Sequence, residues 1–95
     1  MILTGKAKED FYKYINIEDY KLFDYVRKKY ANEIVLNALI IEWFDSVGIY
    51  ITSDYFELNK GFYSEILNSN FAIVKPTRQE ALTEAIKKAN EYYNL

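Results

Sequence analysis

The chain contains neither cysteine nor histidine. Without cysteine there is no disulfide framework, no thiolate nucleophile and no thiolate zinc site. Without histidine the commonest general base at neutral pH is missing, and with it the Ser-His-Asp arrangement and imidazole metal ligation. The serines and threonines have no histidine to activate them, and no Gly-rich phosphate loop is present. Glycine and proline are scarce too, three and one in 95 residues, which leaves no room for a long disordered linker. Long apolar runs are also lacking. The N-terminus turns polar after Leu3, and the longest apolar run, residues 34–44, is broken by Asn37 and Glu42. Neither a signal peptide nor a membrane span is expected, and the expected location is the cytoplasm.

What is present is the balance of one globular domain, residues 1–95, with 51% hydrophobic and 27% charged residues. A chain of this size buries roughly two thirds of its unfolded surface, enough for a modest core. The net charge is only -2, but its sign changes along the chain. Residues 1–30 hold seven Lys/Arg against five Asp/Glu, residues 31–75 two against six, and residues 76–95 three of each. An acidic middle argues against a sheet surface that tracks a phosphate backbone.

Hydrophobic spacing divides the chain into helices, a meander and a last helix. Thr4 can cap a first helix to about Tyr14, with Ala7, Phe11 and Ile15 on one stripe. Leu22, Val26 and Tyr30 predict a second helix over residues 18–30, acidic at its start and ending in Arg27, Lys28 and Lys29. Asn32 then caps a third, residues 34–44, whose apolar residues surround the axis. Such a helix must be covered on all sides, by the other elements or by a second copy of the chain in a homo-oligomer.

After Gly48 the period becomes two, with Ile49, Ile51 and Ser53 on one face and Tyr50, Thr52 and Asp54 on the other. Phe56 and Leu58 then fall on the second parity, which predicts a bulge, twist or stop near Ser53 and Asp54. Asn59-Lys60-Gly61 reads as a hairpin loop with its glycine, residues 62–67 as a second strand, and residues 71–74 as a third after the Asn68-Ser69-Asn70 turn. Pro76 closes the sheet. Thr77-Arg78-Gln79-Glu80 matches a capping box and opens an amphipathic helix in which Ala81, Ala85 and Ala89 permit close approach to the sheet. Glu84 with Lys88 and Lys87 with Glu91 are the expected surface pairs. The expected fold is therefore α+β: N-terminal helices, a three-stranded antiparallel β-meander, and a C-terminal amphipathic helix packed on the sheet.

Three stretches carry a resemblance. Thr4-Gly5-Lys6-Ala7-Lys8-Glu9-Asp10-Phe11, Phe44-Asp45-Ser46-Val47-Gly48-Ile49-Tyr50-Ile51, and Thr77-Arg78-Gln79-Glu80-Ala81 with Ala85-Ile86-Lys87-Lys88-Ala89-Asn90-Glu91 resemble small phage and prophage proteins of Bacteroidetes. The resemblance covers the two ends and the helix-to-strand hinge. It implies a phage-borne accessory gene and carries no activity with it.

Candidate sites follow from residue type and placement. Glu42 and Asp45, with Asp54 or Glu57, could hold Mg²⁺; the simpler role is that Asp45 and Ser46 accept backbone hydrogen bonds at the turn. No metal or other cofactor is expected. Arg27, Lys28 and Lys29 beside Tyr25 and Tyr30 could contact phosphate, or simply form a solvated helix end. The β-β-β-α order parallels double-stranded RNA-binding domains in topology alone, since only Arg78 is basic at the last helix start.

Ten tyrosines and six phenylalanines are a heavy aromatic load. Tyr12, Tyr14, Tyr50, Tyr55 and Tyr63 are expected to include exposed rings, and tyrosine suits protein interfaces because it offers large area at little rotamer cost. The expected binding surface is the acidic, tyrosine-rich hairpin, Tyr50, Tyr55, Glu57, Tyr63 and Glu65, together with Arg27, Lys28 and Lys29. The preferred expectation is a non-enzymatic protein that binds a host protein, such as a bacterial defence enzyme. The rival is a nucleic-acid or nucleotide module using the basic N-terminal helices.

Overall fold

The alternation that begins after Gly48 forms a three-stranded antiparallel sheet in the order β1-β2-β3. Its strands are β1 (Ile51–Phe56), β2 (Gly61–Ile66) and β3 (Ala72–Lys75). The computed structural model describes residues 2–15 and 33–95. Its helices there are α1 (Gly5–Tyr14), α2 (Glu33–Ser46) and α3 (Arg78–Tyr93). The expected helix over residues 18–30, its Arg27, Lys28 and Lys29, and the Asn32 cap lie outside the described residues. The α+β architecture is as the sequence predicts, with α3 across one face of the sheet and α1 and α2 against α3.

The helix α3 reaches the sheet because Ala81, Ala85 and Ala89 are all fully buried and bring its backbone close. Beneath it lie Ile51, Ile66 and the hydroxyl of Ser64, which donates to the carbonyl of Thr52 at 2.7 Å. At the C-terminal end of α3 an aromatic cluster fills the junction with α1 and α2. Trp43 meets Phe11, Phe44 and Tyr93 at centroid separations of 5.9, 4.7 and 4.9 Å. Tyr12, expected among rings that include exposed ones, is fully buried beside them. Asn37, which interrupts the apolar run, is buried and donates to Gln79 Oε1 and Thr83 Oγ1 on α3.

The hinge after α2 is a Schellman cap. Gly48 takes φ +84, its N–H donates to the main-chain carbonyl of Asp45, and the N–H of Ile49 reaches back to the carbonyl of Phe44. A side chain there would strain, so glycine ends the helix and aims the chain into β1. Ser46 does not accept a backbone bond as expected; its hydroxyl donates to the carbonyl of Trp43 at 2.6 Å.

Other local expectations change. Thr4 occupies the N-cap position of α1 without capping it. Its hydroxyl accepts from Asn90 Nδ2 at 3.0 Å, while Asn94 Oδ1 accepts the Ala7 N–H at 2.8 Å. The C-terminal helix thus caps the N-terminal one. Thr77 does accept from the Glu80 N–H at 3.2 Å. The surface pairs on α3 form three residues apart, Lys87 with Glu84 and Lys88 with Glu91, because that spacing also brings neighbours together on a helix.

Candidate functional site: the open face of the sheet

No bulge interrupts β1. Its pairing with β2 runs unbroken from Ile51↔Ile66 to Phe56↔Gly61, so side chains alternate without a shift of parity. Ile51, Ser53 and Tyr55 share the α3 side with Phe62, Ser64 and Ile66. Thr52, Asp54 and Phe56 share the opposite side with Tyr63 and Glu65, and the same alternation extends to Tyr50 and Leu67, which are joined by the Leu67 N–H to Tyr50 carbonyl bond at 2.9 Å.

This opposite face carries apolar surface in the open. Tyr50 is 46% exposed, Phe56 38% and Leu67 43%. The Phe56 and Tyr63 rings lie 6.2 Å apart. The hydroxyl of Tyr63 donates to Glu65 Oε2 at 2.8 Å, and that bond is the leading cause that holds its pKa above 10.0, with desolvation and the carboxylate charge adding to it. Tyr63 therefore remains a neutral donor at physiological pH. A depression of about 360 Å³ beside it is lined by Asp54, Tyr55, Phe56 and Tyr63.

The hairpin tip extends the exposed surface. Glu57–Asn59 form a 3-10 turn, and the left-handed residue is Lys60, φ 47, not Gly61. Gly61 lies in β2, where a Cβ would meet Val74 Cγ1 at 2.8 Å and the Lys75 carbonyl at 3.0 Å. Close approach of β3, and not the turn, requires glycine there. Leu58 at the tip is 86% exposed.

The candidate residues named from sequence thus divide. Tyr50, Tyr63 and Glu65 come together on the open face, Glu57 stands at the tip, and Tyr55 turns to the other side. There Tyr55 packs on Phe62 at 5.4 Å, and the Arg78 guanidinium lies 5.0 Å over the Phe62 ring while donating to Ser53 Oγ at 3.0 Å. Phe56, Leu67 and Asp54 join the site unforeseen. The signal for Phe56 was its parity, an apolar residue on the polar side of the strand.

Among the described residues, the basic side chains of the N-terminal helix have partners on that same helix. Lys6 and Lys13 both pair with Asp10, at 3.1 and 3.9 Å, and Lys8 lies over the Tyr12 ring at 5.8 Å. Among the described residues no group of three or more Asp and Glu side chains is placed to hold a metal ion. Glu42 accepts from the Tyr14 hydroxyl at 3.5 Å, and Asp54 accepts the N–H of Tyr55. A larger depression, about 420 Å³, lies between β3 and α3, but Lys75, Glu80 and Glu84 give its lining mixed charge.

The fold and this face define a small α+β domain whose acidic and aromatic sheet surface no element covers among the described residues. Neither a protein-family model, a curated protein nor a solved structure matches the chain. Among the described residues no helix is long and apolar enough to cross a membrane.

Proposed function

We propose that the protein is a non-enzymatic, phage-type accessory protein that binds a host protein in the bacterial cytoplasm through the open face of its sheet. The observation that carries this is the grouping of exposed Tyr50, Phe56 and Leu67 with Tyr63, Asp54 and Glu65 on one face of the sheet. Apolar rings at the centre of a patch supply burial on docking, and carboxylates around them select the partner. Acidic charge beside aromatic surface suits a basic groove built for nucleic acid, so the partner of choice is a host enzyme that acts on nucleic acid, such as a defence enzyme. The resemblance of the chain's ends and hinge to phage proteins supports the origin.

The test is capture from the bacterial host with the native chain and with a Tyr50→Ser, Phe56→Ser double variant. The native chain is expected to retain a nucleic-acid enzyme and inhibit it, and the variant to retain at most a tenth as much while melting at the same temperature. Equal retention by the variant, or a salt-dependent mobility shift of nucleic acid by the native chain alone, contradicts the proposal.

A further inference from the structure

We propose that two copies of this chain pair edge to edge through β1, antiparallel and centred on Ser53, to make one continuous sheet. The inference does not depend on the identity of a host partner, because it concerns the edge of the sheet and not its face.

In an antiparallel ladder, hydrogen-bonded and non-hydrogen-bonded pairs alternate. The Leu67 N–H to Tyr50 carbonyl bond fixes the phase, so Thr52, Asp54 and Phe56 turn their backbone groups toward β2. Ile51, Ser53 and Tyr55 turn theirs outward. Among the described residues no strand pairs with that outer edge. The other edge is protected differently. The Ile66 N–H to Phe71 carbonyl bond sets its phase, which leaves only Ala72 and Val74 outward before Pro76, which has no N–H to offer. The longer β1 edge is the one built for addition.

The side chains select a second copy of β1 as the occupant. Outward residues must pair with outward residues, which allows only alternate registers. Centring on Ser53 pairs all three outward residues, whereas centring on Thr52 or Asp54 pairs only two of them. Ile51 then faces the copy's Tyr55, Thr52 faces Asp54, and Tyr50 faces Phe56, each pair occurring twice by symmetry. Ser53 meets its own copy at the axis and every other pair is apolar with apolar or hydroxyl with carboxylate, and cross-strand aromatic and hydrogen-bonding pairs of this kind stabilise a sheet. The next register toward the tip sets Asp54 against Asp54 of the other copy, where like charges repel. The interface therefore specifies its own register. In the isolated chain the Asp54 carboxylate accepts the outward Tyr55 N–H at 2.9 Å. It covers that donor until the second strand supplies a carbonyl and Asp54 turns to the Thr52 hydroxyl opposite. Pairing also sets the exposed Tyr50 of one copy beside Phe56 of the other, so that the open face runs on across the two copies.

Sedimentation equilibrium and cysteine cross-linking test this directly. The native chain is expected to reach twice its 11.3 kDa mass as concentration rises. Ser53→Pro removes one outward N–H and no bond to β2, and is expected to weaken the dimer at least ten-fold. Ser53→Cys puts two thiols at the symmetry axis, where paired Cα atoms stand about 5.5 Å apart, within disulfide reach. In a chain otherwise free of cysteine, mild oxidation is expected to cross-link Ser53→Cys at least ten-fold faster than Leu58→Cys at the tip. A native chain that stays at monomer mass overturns the proposal. So does a folded Ser53→Pro variant that dimerises as tightly as the native chain, or equal cross-linking at the two positions. Should circular dichroism show Ser53→Pro unfolded, the cysteine pair still decides.

Discussion

The two ends of α3 do opposite work. At its C-terminal end, Asn90 and Asn94 bind the start of α1, and Tyr93 closes an aromatic cluster with Trp43 and Phe44. At its N-terminal end, Arg78 lies on Phe62 and Ser53, and the hairpin beyond it keeps Phe56 and Leu58 in solvent. One end invests apolar surface in packing and the other leaves it open. The surface that holds the fold together is therefore distinct from the surface proposed to bind.

Substitutions can break that comparison. The largest effect belongs to the packed end: Phe11→Ala, at a fully buried ring, is expected to cost about 3–5 kcal/mol in urea unfolding. Next is the cross-chain cap. Asn90→Ala strips partners from the Thr4 N–H and hydroxyl, and an expected loss of about 1–3 kcal/mol by the same measurement would show that the chain's two ends are tied by these bonds.

A smaller effect depends on pH. The Tyr93 hydroxyl, first, and then Lys6 hold the Asp10 carboxyl below its ordinary 3.8, with Lys13 adding charge against some desolvation. A carboxylate depressed on folding contributes stability above its unfolded pKa and loses it as pH falls through the folded value. The same bond raises Tyr93 above 10.0, so its contribution is present below that value and is lost as pH rises through the folded one. Tyr93→Phe is expected to move the Asp10 midpoint, followed by carboxyl carbon NMR, upward toward 3.8 and to flatten the acid limb of the stability profile.

The smallest effect on stability belongs to the open face, where Tyr50→Ser is expected to change unfolding free energy by about 0.5 kcal/mol or less. A loss as large as at Asn90 would mean that Tyr50 is structural, and the contrast between the ends would fail.

The fold was legible in the sequence because its strongest signals are local. The Thr77 cap, the alanine stripe of α3, the Gly48 stop and the change to a period of two each specify an element with nearby residues alone. What stayed hidden depends on distant partners. Thr4 looks like a self-sufficient cap, and nothing in its neighbourhood announces that Asn90 would take its hydroxyl. Tyr12 looks like a surface ring until α1 packs against its neighbours.

The site was legible in part for the same reason. Tyr50, Tyr63 and Glu65 could be named from composition and alternation, but only the strand register unites them. Phe56 conflicted with the polar parity of its strand, and a bulge would have resolved the conflict by turning it inward. The strand instead runs straight and leaves the ring in solvent. An apolar residue on the polar side was a sign of exposed surface, not of irregular backbone.

Whether the open sheet face binds while the opposite end of α3 stabilises is decided by one paired measurement. The Tyr50→Ser, Phe56→Ser variant and the native chain are compared for retention of the captured host protein, with each melting temperature recorded on the same samples. Retention is expected to fall at least ten-fold with no more than a few degrees of change in melting temperature. Retention that stays unchanged, or that falls only in step with the melting temperature, would contradict the proposal.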